Sequence, residues 1–201
     1  MKSWLVVLDV GDVIVSTQPN AHYRALGRLL GIDWQSVSQA IEQARIVHDL
    51  ELGRISVEQF AEAVRKALNA PSLTVTQLSD CWSGVIGDVI QPLVAPLRVL
   101  AEAQRLLLAS NTNVIHWATV RRLLAQVGVM APACLSFEIG AAKPNPEFFA
   151  TLIRQYVEPD HCAAYVDDRA DNMAAASHAG LTGWRHTDAQ VTADRLTTLL
   201  N

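Results

Sequence analysis

The sequence predicts an α/β protein: a Rossmann-like, three-layer, doubly wound parallel sheet with a four-helix domain inserted after its first strand. Three observations carry that expectation. Short apolar runs alternate with helical patterns over the second half of the 201 residues, an order that gives parallel strands covered on both faces. The stretch from about Pro19 to Val89 contains no convincing strand. The polar clusters follow the apolar runs, where an open parallel sheet places its ligand crevice.

In chain order, Trp4 to Leu8 (WLVVL) reads as a buried strand. Tyr23, Leu26, Leu29 and Leu30 then form one apolar helical stripe, and Val37, Ile41, Ala44 and His48 a second. Phe60, Ala63, Val64, Ala67 and Leu68 form a third, opened by a capping box of Ser56 and Gln59. A fourth helix is expected over Thr76 to Ile86, after which the region of Pro92 and Pro96 returns the chain to the sheet. Further strands are expected at Arg105 to Ala109, Ala133 to Phe137, Ala163 to Val166 and Gly183 to His186. Between them lie helical patterns at His116 to Val127, Pro146 to Tyr156 and Asp171 to Ala179. Asn145, Pro146 and Glu147 supply an N-cap, a proline at the first helical position and an acid in the first turn. The core is therefore expected over 1–16 and 92–201, and the cap over 17–91.

Charge and composition exclude several roles. The 16 Lys and Arg against 20 Asp and Glu give a net charge of −4, with no basic run to follow a nucleic-acid backbone. Cys81, Cys134 and Cys162 have no metal-ligand spacing and read as reduced core residues. Lys2 precedes too short an apolar stretch for a secretory signal, and no run reaches the ~18 apolar residues of a membrane span. A cytoplasmic protein, monomer or homodimer, is expected. His22, His48, His161, His178 and His186 show no ligand spacing and read as solvated or packed, and Trp34 and Trp82 as cap core.

The chemistry lies at the strand ends. Asp9 follows the first strand, Ser110 to Asn113 the second, Lys143-Pro144 the loop after the third, and Asp167-Asp168 the fourth. Three carboxylates converging on one crevice repel one another unless a cation or a catalytic task holds them there. Mg²⁺ suits such a site, since it takes one or two carboxylates plus waters and phosphate oxygens. A carboxylate can also attack phosphorus and split a hard hydrolysis into two easier steps.

The set Asp9-Val10-Gly11-Asp12-Val13, Ser110-Asn111-Thr112-Asn113, Lys143-Pro144 and Val166 to Asn172 resembles the four ordered motifs of the haloacid dehalogenase-like hydrolases. It is most similar in wording to the branch with a helical cap of C1 type, near the glucose-1-phosphate phosphatases and the phosphatase domain of soluble epoxide hydrolase; Glu51 to Ser56 in the cap shares that wording. The resemblance implies a Mg²⁺-dependent phosphatase acting on a small phosphorylated metabolite, such as a sugar phosphate, through an aspartyl-phosphate. Asp9 would be nucleophile and metal ligand, the Gly11 carbonyl and Asp168 further ligands, and Asp167 and Asn172 holders of metal-bound water. Ser110 and the neighbouring backbone would hydrogen-bond the phosphoryl oxygens, Asn111 would belong to the same catalytic set, and Lys143 would offset the negative charge gathered between Asp9 and the phosphate. Gly11 stands where most phosphatases of the family carry a second Asp as general acid and base; Asp12 and His116 are the candidates for that task. Asp171 reads as a helix cap rather than a ligand. A 2-haloacid dehalogenase and a noncatalytic binding protein on the same scaffold are the alternatives. Specificity is expected from Ser16, Thr17, the stretch His48 to Arg54 and the cap helices.

Overall fold

The computed structural model describes residues 4–158 and 162–200; Lys2 and His161 lie outside them. In chain order the strands are β1 (Trp4–Leu8), β2 (Val15–Thr17), β3 (Ile86–Val89), β4 (Leu106–Ser110), β5 (Ala133–Leu135), β6 (Cys162–Asp167) and β7 (Thr182–Arg185). The helices are α1 (Ala21–Leu30), α2 (Trp34–Ala44), α3 (Ile46–Glu51), α4 (Val57–Leu68), α5 (Val75–Ser83), α6 (Gln91–Glu102), α7 (Val114–Gln126), α8 (Ser136–Ile139), α9 (Pro146–Tyr156), α10 (Ala170–His178) and α11 (Ala189–Leu200).

Five strands form one parallel sheet in the order β5-β4-β1-β6-β7. With β4 and β6 on either side, β1 is central, and β4 is buried along its whole length, which is why both read as unbroken apolar runs. The two-residue period of a strand sorts their side chains. Val6, Leu8, Leu106, Leu108 and Val166 pack with Leu93 and Leu97 of α6, Leu124 of α7 and Leu196 of α11. Val7, Leu107, Ala109 and Tyr165 point the other way, against Phe148, Phe149 and Leu152 of α9 and Ala176 of α10. Helices on both faces make the sheet doubly wound, as expected.

The cap has its own core of Tyr23, Leu26, Ile41, Phe60, Leu78 and Trp82, into which α7 of the main body inserts Ile115. The capping box at Ser56 and Gln59 is formed, and Thr74 with Gln77 repeats it at α5. Asn145 caps α9 by accepting the Glu147 N–H at 2.9 Å.

Several expectations need correction. The second stripe is two helices, because Arg45 takes a left-handed conformation (φ 53°) that ends α2 and places His48 in α3. Leu29 is exposed, since the buried face of α1 is set by Tyr23 and Leu26. The fourth helix stops at Ser83, and Ile86–Val89, read as strandless, pairs antiparallel with Val15–Thr17 as a two-stranded ribbon joining cap to core. Short ribbons with a glycine, here Gly87, carry little hydrophobic signal. The third strand of the sheet ends at Leu135, after which Ser136 and Phe137 turn into α8. Strand β4 runs one residue further than expected, to Ser110, and β7 starts one residue earlier, at Thr182. Asp171 does not cap α10; it sits in the first turn and pairs with Arg169.

The cap also meets the core at the start of α8. Ser136 Oγ donates to the Glu51 carbonyl at 2.7 Å, and next to it Gly53 lies so close that a Cβ there would stand 2.0 Å from the Phe137 carbonyl oxygen. Gly53 and Gly31 share a left-handed φ (64° and 68°), but Gly31 faces open space. Gly31→Ala is therefore expected to lose only ~1 kcal/mol, the cost of the backbone conformation. Gly53→Ala adds a backbone clash and is expected to lose ~3 kcal/mol. Chemical denaturation of both variants checks this; equal losses would contradict the close cap–core approach.

Candidate active site

The strand alternation that builds the core also builds the site. Tyr165 and Asp167 project from one face of β6, the face covered by α9, and Asp9 continues the direction of Val7 just past β1. The loop entering α9 carries Lys143 onto that same face. Its Nζ donates to Asp9 Oδ1 at 2.8 Å, to Asp167 Oδ2 at 2.9 Å and to the Ala109 carbonyl at 2.9 Å. All three ammonium hydrogens are thus directed, and the lysine is 5% exposed.

Each partner is held in turn. Asp167, fully buried, also accepts from Tyr165 OH, the Arg169 N–H and Asn172 Nδ2, so both its oxygens are occupied by protein donors. Asp9 Oδ1 takes a second bond from the Val10 N–H at 2.7 Å, which leaves Oδ2 for the cavity. Asn111 spends its carboxamide on the Lys143 backbone, accepting from its N–H and donating to its carbonyl, both at 2.8 Å. Its side chain thus positions the lysine, while the residue itself lines the cavity. Ser110 is buried, and its hydroxyl has only a weak 3.5 Å contact with the Asn111 carbonyl, so it remains available.

Asp9, Ser110, Asn111 and Lys143 border a cavity of about 470 Å³, whose walls also include Gly11, Thr17 and Ile86 of the ribbon region, Thr112, His116 and Asp168. Oxygens of Asp9, Asp167 and Asp168 lie within 4.8 Å of one another. Such an all-oxygen set fits a hard divalent cation. A second observation agrees: Asn172 Oδ1 is buried beside the cavity without a hydrogen-bond partner, as suits an oxygen that receives a cation-bound water.

Electrostatics show the same tension. Burial pushes the Asp9 carboxyl up to about 6, aided by the charge of Asp167 and opposed by Lys143. Burial also pulls Asp167 upward, but Lys143, the Tyr165 hydroxyl and the Arg169 N–H outweigh it and hold that carboxyl below its usual range. Asp168 is raised by burial and by Asp167. Lys143 therefore neutralises about one carboxylate of the cluster, leaving negative charge for a cation to offset.

Neither candidate for acid and base is free. Asp12 lines the cavity but accepts the Thr17 N–H at 2.8 Å and its hydroxyl at 2.8 and 3.0 Å. His116 meets Asn113 Nδ2 at 3.0 Å through Nδ1 and the Trp82 carbonyl at 3.2 Å through Nε2. Burial lowers its pKa to about 4, so it is neutral at pH 7. Sequence reasoning missed Tyr165, Asn113, Ser136 and the Ala109 carbonyl. For Tyr165 a signal existed, since it lies two residues before Asp167 and must share its face.

A carboxylate cluster and buried lysine at the C-terminal edge of a doubly wound sheet, under a helical cap, define a hydrolase scaffold. Residues 5–180 match the family model of the haloacid dehalogenase-like hydrolases, and the chain belongs to that family. It is similar to D-ribitol-5-phosphate phosphatase of Bacteroides thetaiotaomicron, with 26% identity over 203 residues covering 98% of each chain. Its fold is similar to that of a HAD family enzyme of Bacteroides thetaiotaomicron crystallised with magnesium and inorganic phosphate, with TM-score 0.76 and 21% identity over 93% of this chain and 95% of the other. A predicted HAD-like hydrolase of Porphyromonas gingivalis superposes with TM-score 0.77 and 22% identity, covering 100% of this chain and 99% of that one.

The raised Asp9 pKa has a sign that can be tested. Because the folded value, about 6, lies above the ordinary 3.8, the stabilising contribution is fully present below pH ~4 and is lost as pH rises through ~6. The loss amounts to about 3 kcal/mol. In chelator, Asp9→Asn is expected to melt at higher temperature than the parent at pH 7.5, with the gap shrinking toward pH 5. A gap independent of pH would contradict the buried, reluctant carboxylate.

Proposed function

We propose that this protein is a Mg²⁺-dependent phosphomonoesterase that hydrolyses a small phosphorylated metabolite through an aspartyl-phosphate on Asp9. The observation that carries the reading is the buried Lys143 ammonium bridging Asp9 and Asp167 beside Asp168, with Asp9 Oδ2 facing the cavity. The relative named as a sugar-alcohol phosphatase and the neighbour crystallised with magnesium and phosphate support it.

Asp9, Asp168 and the Gly11 carbonyl would hold the cation, and Asn172 Oδ1 its bound water. When present, Mg²⁺ supplies positive charge that lets a phosphate dianion approach a carboxylate. Asp9 then attacks phosphorus in line with the leaving oxygen. Lys143 keeps the attacking carboxylate oriented and balances charge gathering on the phosphoryl oxygens, acting as a compact point charge. Ser110 donates its free hydroxyl to one of those oxygens. Asp167 keeps the lysine in place, and Asn111 fixes the loop that carries it.

The cap excludes bulk water and limits what enters.

Hydrolysis of p-nitrophenyl phosphate with and without Mg²⁺ tests the reading. Turnover is expected to require the metal and to fall by ~10³-fold or more in Asp9→Asn. Asp168→Ala is expected to abolish the heat of Mg²⁺ binding in calorimetry. Metal-independent turnover, or turnover that survives in Asp9→Asn, would defeat the proposal.

A further inference from the structure

Six titratable residues line the cavity among the described residues: Asp9, Asp12, His116, Lys143, Asp168 and Arg169. Each is committed elsewhere. The three N–H bonds of Lys143 go to Asp9, Asp167 and the Ala109 carbonyl. Arg169 grips Asp171 through two bonds, at 3.1 and 2.6 Å, and that partner strengthens its hold on its proton. Asp12 turns both oxygens to Thr17. A carbonyl only accepts, so His116 carries its proton on Nε2, directed at Trp82 in the cap, while Nδ1 accepts from Asn113. Asp9 and Asp168 belong to attack and to the cation. No carboxyl, imidazole or ammonium is left to meet a leaving group or a water.

We propose that the leaving oxygen departs from this cavity without a proton from the protein, so that its substrates are phosphate esters or anhydrides whose leaving oxygen is itself a stabilised anion. Aryl, enol and acyl phosphates have that chemistry; phosphates of simple primary alcohols rank last. This rests on the phosphatase reading above. As the Asp9 oxygen bonds to phosphorus, the bond from phosphorus to the leaving oxygen breaks. The electron pair stays on that oxygen, which departs as an anion and takes its proton from bulk water. In the second half, water adds to phosphorus, the electron pair of the broken bond returns to the Asp9 carboxylate, and the proton of the water passes to solvent. With no base to activate that water, phosphorylated Asp9 accumulates when the first half is fast.

Gly11 shows where an acid could stand. A Cβ there would meet nothing closer than Thr17 Cγ2 at 3.5 Å, and its φ lies outside the left-handed region, so a side chain fits. General acid catalysis is worth ~10² to 10⁴ in rate, and the protein forgoes it most on leaving groups of low acidity.

The test measures kcat/KM for aryl phosphates of graded leaving-group acidity, together with D-ribitol 5-phosphate, on the Mg²⁺-loaded wild-type protein. A fall of ~10²-fold or more is expected from the most to the least acidic aryl group, with the sugar-alcohol ester lower still. Gly11→Asp is expected to flatten the dependence, and Gly11→Asn to leave it steep. Rapid quenching with the most acidic aryl ester should show a burst of phenol, and mass spectrometry a phosphorylated peptide containing Asp9. A flat series with turnover present, or no accumulated phosphopeptide, overturns the inference and leaves the phosphatase reading standing. Absence of turnover on every phosphate sinks that reading, and the inference with it.

Discussion

The ammonium group of Lys143 is the interaction on which the rest of the site depends. It ties together three points of the chain that the sheet brings side by side: the end of β1 at Asp9, the end of β4 at Ala109 and the end of β6 at Asp167. Removing the lysine would leave the buried carboxylates uncompensated, at a cost of ~3 to 5 kcal/mol. Surrounding residues keep it assembled. Asn111 clasps the lysine backbone, Tyr165 and Asn172 hold Asp167, and α9 and α10 pack their apolar faces beneath them.

The arrangement is not electrostatically at rest. One buried ammonium faces two carboxylates, with a third close by, and burial holds Asp9 and Asp168 above their ordinary pKa. A fold selected for stability alone would place apolar side chains here. The residual negative charge, the free Asp9 Oδ2 and the unpartnered Asn172 Oδ1 all become satisfied at once if a hard cation and an anionic substrate enter together. The cap completes the enclosure, anchored by Ser136 and Gly53 on one side and by the His116 to Trp82 bond on the other.

Much of this was legible in the sequence because it follows from short-range rules. The unbroken apolar character of WLVVL and RLLLA reflects burial on both faces, and the carboxylates and lysine at strand ends follow from the topology of any open parallel sheet. The Asn145 and Ser56 caps are local hydrogen bonds between neighbours in sequence. What escaped reading depends on distant partners. The ribbon of Val15–Thr17 and Ile86–Val89 exists only because the two ends of the cap meet, and the Asn111 carboxamide bonds the backbone of Lys143, 32 residues away. The partners of Asp12 and His116, Thr17 for the first and Trp82 with Asn113 for the second, likewise follow from the folded chain.

The central claim is that Asp9, Asp168 and Lys143 form one centre built to hold a cation and a phosphoryl group together. A crystal structure of the protein grown with Mg²⁺ and beryllium fluoride tests it most directly. The account predicts trifluoroberyllate bonded to an Asp9 oxygen, the metal touching Asp9 and Asp168, and the Lys143 ammonium still between Asp9 and Asp167. Magnesium bound away from Asp9, or an unmodified Asp9 carboxylate at saturating fluoride, would contradict it.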